Sequence, residues 1–152
     1  MSKKEWGNAT WYLFHTLAEK VKDDHFVSVK DSLIAIIKQI CSNLPCPECA
    51  GHAQHKLASL NVKNIRNKRD LKMMLLSFHN DVNKRVGNPM FTEQQLDEKY
   101  KTANTGNIIQ YFLQTWRKPN SNPKLLTVSL HKSRALQEFT SWWSKNYIHF
   151  TP

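Results

Sequence analysis

Apolar side chains recur along this chain at intervals of three and four residues, the spacing of a helix face, and no strand–helix–strand alternation interrupts them. Trp11, Phe14, Ala18 and Val21 fall near one face of a first helix that Asn8 or Thr10 would cap. A second helix, from about His25 to Asn43, carries the stripe Leu33, Ile37, Ile40, Cys41 and Leu44, and Pro45 stops it. A third begins at Cys46-Pro47-Glu48-Cys49, where Pro47 suits a first turn that needs no amide donor, and runs on through Ala50, Ala53 and Leu57. A polar loop from Asn61 to Asn67 follows.

The fourth helix spans about Arg69 to Val86, with Leu71, Met74, Leu75, Phe78 and Val82 inward, and closes at Gly87-Asn88-Pro89. Thr92 and Gln95 form a capping box, with Phe91 and Leu96 as its hydrophobic staple, for a short helix to about Tyr100. Another helix, Thr105 to Arg117, carries Ile108, Ile109, Phe112, Leu113 and Trp116. Lys118 to Pro123 reads as a linker, Lys124 to Leu130 as extended chain, and Leu136, Phe139, Trp143 and Tyr147 as the face of a last amphipathic helix. With no internal repeat, the expected fold is all-α, a helical bundle.

Composition narrows the classes. A chain of 152 residues can hold one core, and 40% apolar residues with five Trp and seven Phe exclude a disordered tail. The longest aliphatic run, Leu33 to Ile37, is far short of the roughly 20 residues of a bilayer crossing. The first residues show neither the apolar core of a secretory signal nor a transit-peptide pattern, so a cytoplasmic protein is expected. The net charge of +10 is uneven: residues 1–60 hold seven Lys/Arg against six Asp/Glu, and residues 61–152 hold fifteen against six. Such a field suits an anionic partner, whether nucleic acid, an acidic protein or the phosphates of a cofactor.

Chemistry concentrates in two places. Cys46 and Cys49, three apart at a helix start, have the layout of a working disulfide, because the helix N-terminus favours a thiolate there. Zinc is the competitor, since Cys46, Cys49, His52 and His55 are each three residues apart. One continuous helix cannot wrap these four around an ion, because each step of three turns the direction and the set drifts by roughly half a turn. A thioredoxin-like domain would place the pair after a buried strand, and the segment here is helical in period. Cys41, on an apolar stripe, reads as a small hydrophobe. On the fourth helix, His79 and Asn83 stack at i, i+4 beside Leu75, Phe78 and Val82. They either satisfy each other in a core or line a pocket for a planar, hydrogen-bonding ligand, with Lys84 and Arg85 near its phosphates. Trp11 and His15 repeat the pairing of aromatic and imidazole on the first helix.

Together these motifs resemble the Erv/ALR family of FAD-linked sulfhydryl oxidases: Gly7-x-x-x-Trp11-x-x-x-His15, Pro45-Cys46-x-x-Cys49-Ala50-x-His52 and His79-Asn80-x-Val82-Asn83-Lys84-Arg85, over about Trp6 to Tyr100. The resemblance implies a four-helix bundle with a short fifth helix and FAD at its mouth, usually homodimeric. Residues 1–117 would be the FAD-binding oxidase domain, and 118–152 a linker and C-terminal helical extension packed on or beside it. The redox disulfide would be Cys46–Cys49, with Cys49 next to the flavin and Cys46 exchanging with substrate thiols. Trp11, His15, His79, Asn80 and Asn83 would contact the flavin and adenine, with Gly7, Thr10, His52 and Val82 in the same motifs. Lys84, Arg85 and Lys99 would lie near the ribose and pyrophosphate, and Tyr100 would stand for a stacking Trp. No metal is implied. The reaction would convert two thiols and O2 to a disulfide and H2O2, taking electrons from a protein dithiol or a thioredoxin-like carrier, with nucleic acid no partner. The compact members of large DNA viruses are the nearest type, which would put the chain in host cytoplasm, assembly sites or the virion.

Three departures stand out. A second, shuttling cysteine pair is missing, with only Cys41 to spare. Asn8-Ala9-Thr10 replaces the basic residue expected shortly before Trp11. The residues after Trp116 have no counterpart, and Trp142, Trp143, Tyr147 and Phe150 are expected to pack as an extra helix or to face a partner, with Arg117, Lys118, Lys124, Lys132, Arg134 and Lys145 as a basic surface.

Overall fold

The computed structural model describes residues 2–119 and 126–152, with the backbone alone for 126–129. The described residues form seven α-helices: α1 (Lys3–Lys20), α2 (Phe26–Ser42), α3 (Pro47–Ala58), α4 (Lys68–Val86), α5 (Glu93–Lys101), α6 (Thr105–Arg117) and α7 (Leu126–Asn146). The only β-pairing among them is an isolated bridge between Val21 and Phe150. The fold is all-α, as the periodicity predicts. No helix among the described residues is long and apolar enough to cross a membrane.

Local chemistry sets most boundaries. Cys46 caps α3 with Pro47 in its first turn, and Asn67 caps α4 by accepting from Asp70 N. Gly87, at φ +81°, ends α4 in the left-handed region that a side chain would resist. The capping box of α5 is complete, Thr92 and Gln95 each bonding to the other's backbone. α1 departs from expectation. It starts at Lys3, capped by Ser2 rather than Asn8 or Thr10, because Ser2 accepts from Glu5 N at 3.2 Å and so satisfies the first turn six residues earlier.

α1 packs against α4, α5 and α6, α2 against α3 and α7, and α6 against α7. The main core among the described residues runs from Leu13, Phe14 and Leu17 through Leu33, Ile37, Leu71 and Leu75 to Phe112, Trp116 and Phe139. Each such side chain contributes roughly 1.5–3 kcal/mol by leaving water. Lys72 pairs with Glu19 at 2.5 Å and Asp97 at 2.6 Å, tying α4 to α1 and α5.

The C-terminal segment is part of this core. Leu126 to Leu130, predicted extended, is the start of α7, since lengthening an existing helix adds a hydrogen bond per residue and outweighs weak local propensity. Lys124, Leu125 and most of the predicted linker lie outside the described residues. Trp142, not Trp143, is the deeper tryptophan, and its Nε1 donates to Ser32 Oγ at 3.0 Å. Tyr147 leaves the helix face because α7 ends at Asn146, and it is exposed. Lys132, expected on a solvated surface, is buried and donates to the Lys118 carbonyl at 2.7 Å. The last residues close on the end of α1: Lys22 N donates to His149 O at 2.8 Å and Thr151 N to Lys20 O at 2.7 Å.

Candidate functional site

Cys46 and Cys49 are joined as a disulfide at the start of α3. The Cys46 sulfur accepts from the Cys49 amide at 3.2 Å, one of the free donors of the helix N-terminus. Both residues are half-buried, but they face different surroundings. Cys49 belongs to the wall of a cavity of about 720 Å³, and Cys46 does not.

Most of that cavity is built by three helices, with α2 adding Cys41. α1 contributes Gly7, Thr10 and Trp11, α3 contributes Cys49, His52 and Ala53, and α4 contributes Phe78, His79, Val82 and Asn83. The indole of Trp11 and the imidazole of His79 are stacked, with centroids 4.0 Å apart and planes inclined by 5°. Trp11 also meets Phe78 edge-on at 5.0 Å. Asn83 is buried, and its Nδ2 has no hydrogen-bond partner among the described residues, so the wall carries an unused donor. Cys41 closes the inner side next to Leu44, with burial pushing its thiol well above the usual thiol range. Lys3, Lys4 and Arg85 stand at the mouth, with Glu48 the acidic group among them.

Behind the wall, His15 Nε2 lies 2.9 Å from His79 Nδ1. Burial, the neighbouring His79 and Lys99 depress His15 to about 3. Burial and Lys99 depress His79 to about 4. Both imidazoles are therefore neutral at pH 7.

Of the residues singled out in the sequence, Gly7, Thr10, Trp11, Cys49, His52, His79, Val82, Asn83 and Arg85 meet around one cavity. Besides Cys46, five others stand elsewhere. His15 is one layer back, reaching the cavity through His79. Asn80 spends its amide on the loop after α4, donating to Phe91 O and accepting from Phe91 N, both at 2.9 Å. Lys84 is exposed and does not line the cavity. Lys99 sits over the rings of Tyr12, Phe91 and Tyr100, at 4.8, 5.5 and 5.6 Å from their centroids. Tyr100 is buried with its ring 5.1 Å from that of His15, and burial holds its hydroxyl well above the usual phenol range.

Sequence reasoning missed Lys3, Lys4, Trp6 and Asn8. The signal was present: Ser2-Lys3-Lys4-Glu5 has the pattern of a capping box, and it begins the helix two turns before Trp11. Lys4, Asn8 and Trp11 then follow at i, i+4, i+7 on one face, which carries Lys4 to the cavity mouth.

The sequence profile of the Erv1 / Alr family matches residues 8–101. The chain belongs to this family. It is 28% identical over 104 residues to a protein of Invertebrate iridescent virus 3 named as an FAD-linked sulfhydryl oxidase, covering 68% of this chain and 70% of that one. It is 29% identical over 100 residues to the FAD-linked sulfhydryl oxidase ERV1 of Oryza sativa subsp. japonica, 66% of this chain but only 51% of the plant protein. With the FAD-linked sulfhydryl oxidase of African swine fever virus it shares 28% over 115 residues, 73% of this chain and 95% of the viral one. No solved structure matches the chain. The Erv1 / Alr match ends with α5.

Proposed function

We propose that this chain is an FAD-dependent sulfhydryl oxidase that forms disulfides in protein thiols and passes the electrons to O2. The observation that carries the reading is the disulfide at a helix N-terminus with one sulfur in the wall of a cofactor-sized cavity and the other outside it. The cavity volume lies within the ~300–1,000 Å³ usual for small-molecule sites.

The residues fit a flavin dinucleotide. The stacked Trp11 and His79 rings give the cavity an aromatic lining, Asn83 Nδ2 is a buried donor awaiting an acceptor, and Lys3, Lys4 and Arg85 offer positive charge to a pyrophosphate. Gly7 leaves open space on the α1 side, since a Cβ there would touch nothing within 4 Å. Bound FAD supplies a two-electron acceptor for the dithiol and the reaction of that electron pair with oxygen to give H2O2.

The chain itself performs thiol–disulfide exchange. A substrate thiolate attacks Cys46 Sγ, forming a mixed disulfide and releasing Cys49 as the thiolate at the cavity wall. A second substrate thiol attacks the mixed disulfide, the substrate leaves oxidised, and Cys46 and Cys49 are left reduced. The Cys49 amide and the α3 N-terminus favour negative charge on the Cys46 sulfur at that stage. With Cys41 buried, the described residues hold no second accessible cysteine pair, so a protein dithiol or a thioredoxin-like carrier meets Cys46 directly. A homodimer and a viral setting in host cytoplasm, assembly sites or virion belong to the same reading. The alternative of a non-enzymatic basic module accounts for the charge and leaves the cavity and disulfide unused.

The visible absorption spectrum of the purified protein tests the cofactor. Flavin bands that persist through gel filtration are expected. A colourless protein that takes up no added FAD would refute the reading.

A further inference from the structure

We propose that His15 is a positioning residue: it fixes His79 in the tautomer with its proton on Nε2, so that α4 presents an N–H donor to the cavity beside Asn83 Nδ2. This deepens the reading of the cavity as an FAD site and rests on it. The ligand edge that the wall selects is then one with two adjacent acceptors, a carbonyl oxygen or an unprotonated ring nitrogen at each.

The argument starts from the single proton between two rings. His15 Nε2 and His79 Nδ1 are 2.9 Å apart, and with both imidazoles neutral one of these atoms must donate and the other accept. If His79 donates, the remaining proton of His15 sits on Nδ1. That atom is buried and has no hydrogen-bond partner among the described residues, so it would be an orphaned N–H, the rarer and costlier kind of unsatisfied group. If His15 donates, its Nδ1 is a bare acceptor and the proton of His79 moves to Nε2. The second arrangement strands no donor.

The ring of His79 cannot swing to evade this choice. It is stacked 4.0 Å from Trp11 on one side and lies 5.4 Å from Phe91, while His15 itself is held 5.1 Å from Tyr100. Of the two ring nitrogens of His79, Nδ1 is committed to His15, which leaves Nε2 for the cavity that the residue lines. Asn83, one turn further along α4, brings the second unpartnered donor to the same wall. Thus His15 acts on the ligand without touching it, by deciding whether its neighbour offers a proton or a lone pair.

Long-range ¹H–¹⁵N correlation spectra of the FAD-loaded, ¹⁵N-labelled full chain read the tautomer directly. His79 is expected to show a protonated Nε2 and a bare Nδ1. The reverse pattern overturns the proposal, and because this measurement uses the wild-type chain it does not depend on any variant folding. FAD dissociation constants of His15→Phe and His15→Gln give a second readout. Loss of the donor in H15F is expected to weaken FAD about tenfold, while the amide N–H of H15Q holds it within about threefold of wild type. An H15F chain that binds FAD as wild type does, with His79 still protonated on Nε2, overturns the role of His15. A wild-type chain that binds no FAD refutes the reading of the site instead, and a flavin-loaded chain with its proton on Nδ1 refutes only this inference.

Discussion

Trp116 donates its indole N–H to Thr10 Oγ1 over 3.0 Å, and Thr10 donates onward to the Trp6 carbonyl at 2.6 Å. All three residues are buried. Thr10 immediately precedes Trp11, whose ring forms the cavity wall, whereas Trp116 lies on α6, beyond the region matched by the family. A helix beyond the span of the family match is thus bonded to the turn that carries the site. Replacing Trp116 by Phe keeps most of the apolar contact and removes the bond, at an expected cost of about 0.5–1.5 kcal/mol in urea denaturation together with faster flavin loss. Trp116→Ala should cost about 3–5 kcal/mol. Wild-type stability and flavin retention in W116F would show that α6 does not support the site.

The neutral histidine pair gives stability a definite pH dependence. Folded, His15 and His79 titrate at about 3 and about 4, both well below the ordinary 6.5 they regain when unfolded. Below 6.5 the unfolded chain binds more protons, so stability is fully present above that pH and is lost as pH falls through the folded values. Each histidine can contribute a slope of up to about 1.4 kcal/mol per pH unit in that window. Urea midpoints measured from pH 7.5 to 5 should therefore fall steeply, and His15→Phe should flatten the curve by roughly half of the pair's contribution. A pH-independent midpoint across this range would mean that the imidazoles titrate in the fold as they do in the unfolded chain.

The mouth of the cavity should behave as an anion site. Lys4→Glu and Arg85→Glu reverse charges on opposite sides of it, from α1 and α4. Each is expected to raise the FAD dissociation constant about tenfold at low salt and to reduce its salt dependence, with folding unchanged because both residues are exposed. Equilibrium dialysis at two ionic strengths checks this. Unaltered affinity in both variants would place the dinucleotide's phosphates elsewhere.

Much of the fold was legible because its signals are local. Pro47 after Cys46, the box of Thr92 and Gln95, and Gly87 before Asn88-Pro89 each act within one turn, and each sits where the sequence predicts. The chemistry of the wall was legible too, since i, i+4 spacing alone puts His79 beside Asn83. What escaped depends on contacts distant in the chain. Nothing near Lys132 shows that it will be buried against the Lys118 carbonyl, and nothing near Asn80 shows that its amide will clamp Phe91 rather than a ligand. The same holds for His15, whose place behind His79 is set by how α1 meets α4. Trp142 and Trp143 are neighbours in sequence, and only the packing of α7 on α2 decides which of them reaches Ser32.

The central claim is that electrons enter through Cys46–Cys49, and oxygen uptake with dithiothreitol as thiol donor tests it most directly. The wild-type chain should consume oxygen in proportion to thiol and produce H2O2. Cys46→Ser and Cys49→Ser should each retain flavin and lose turnover. Thiol-dependent oxygen consumption at the wild-type rate in either variant would contradict the account.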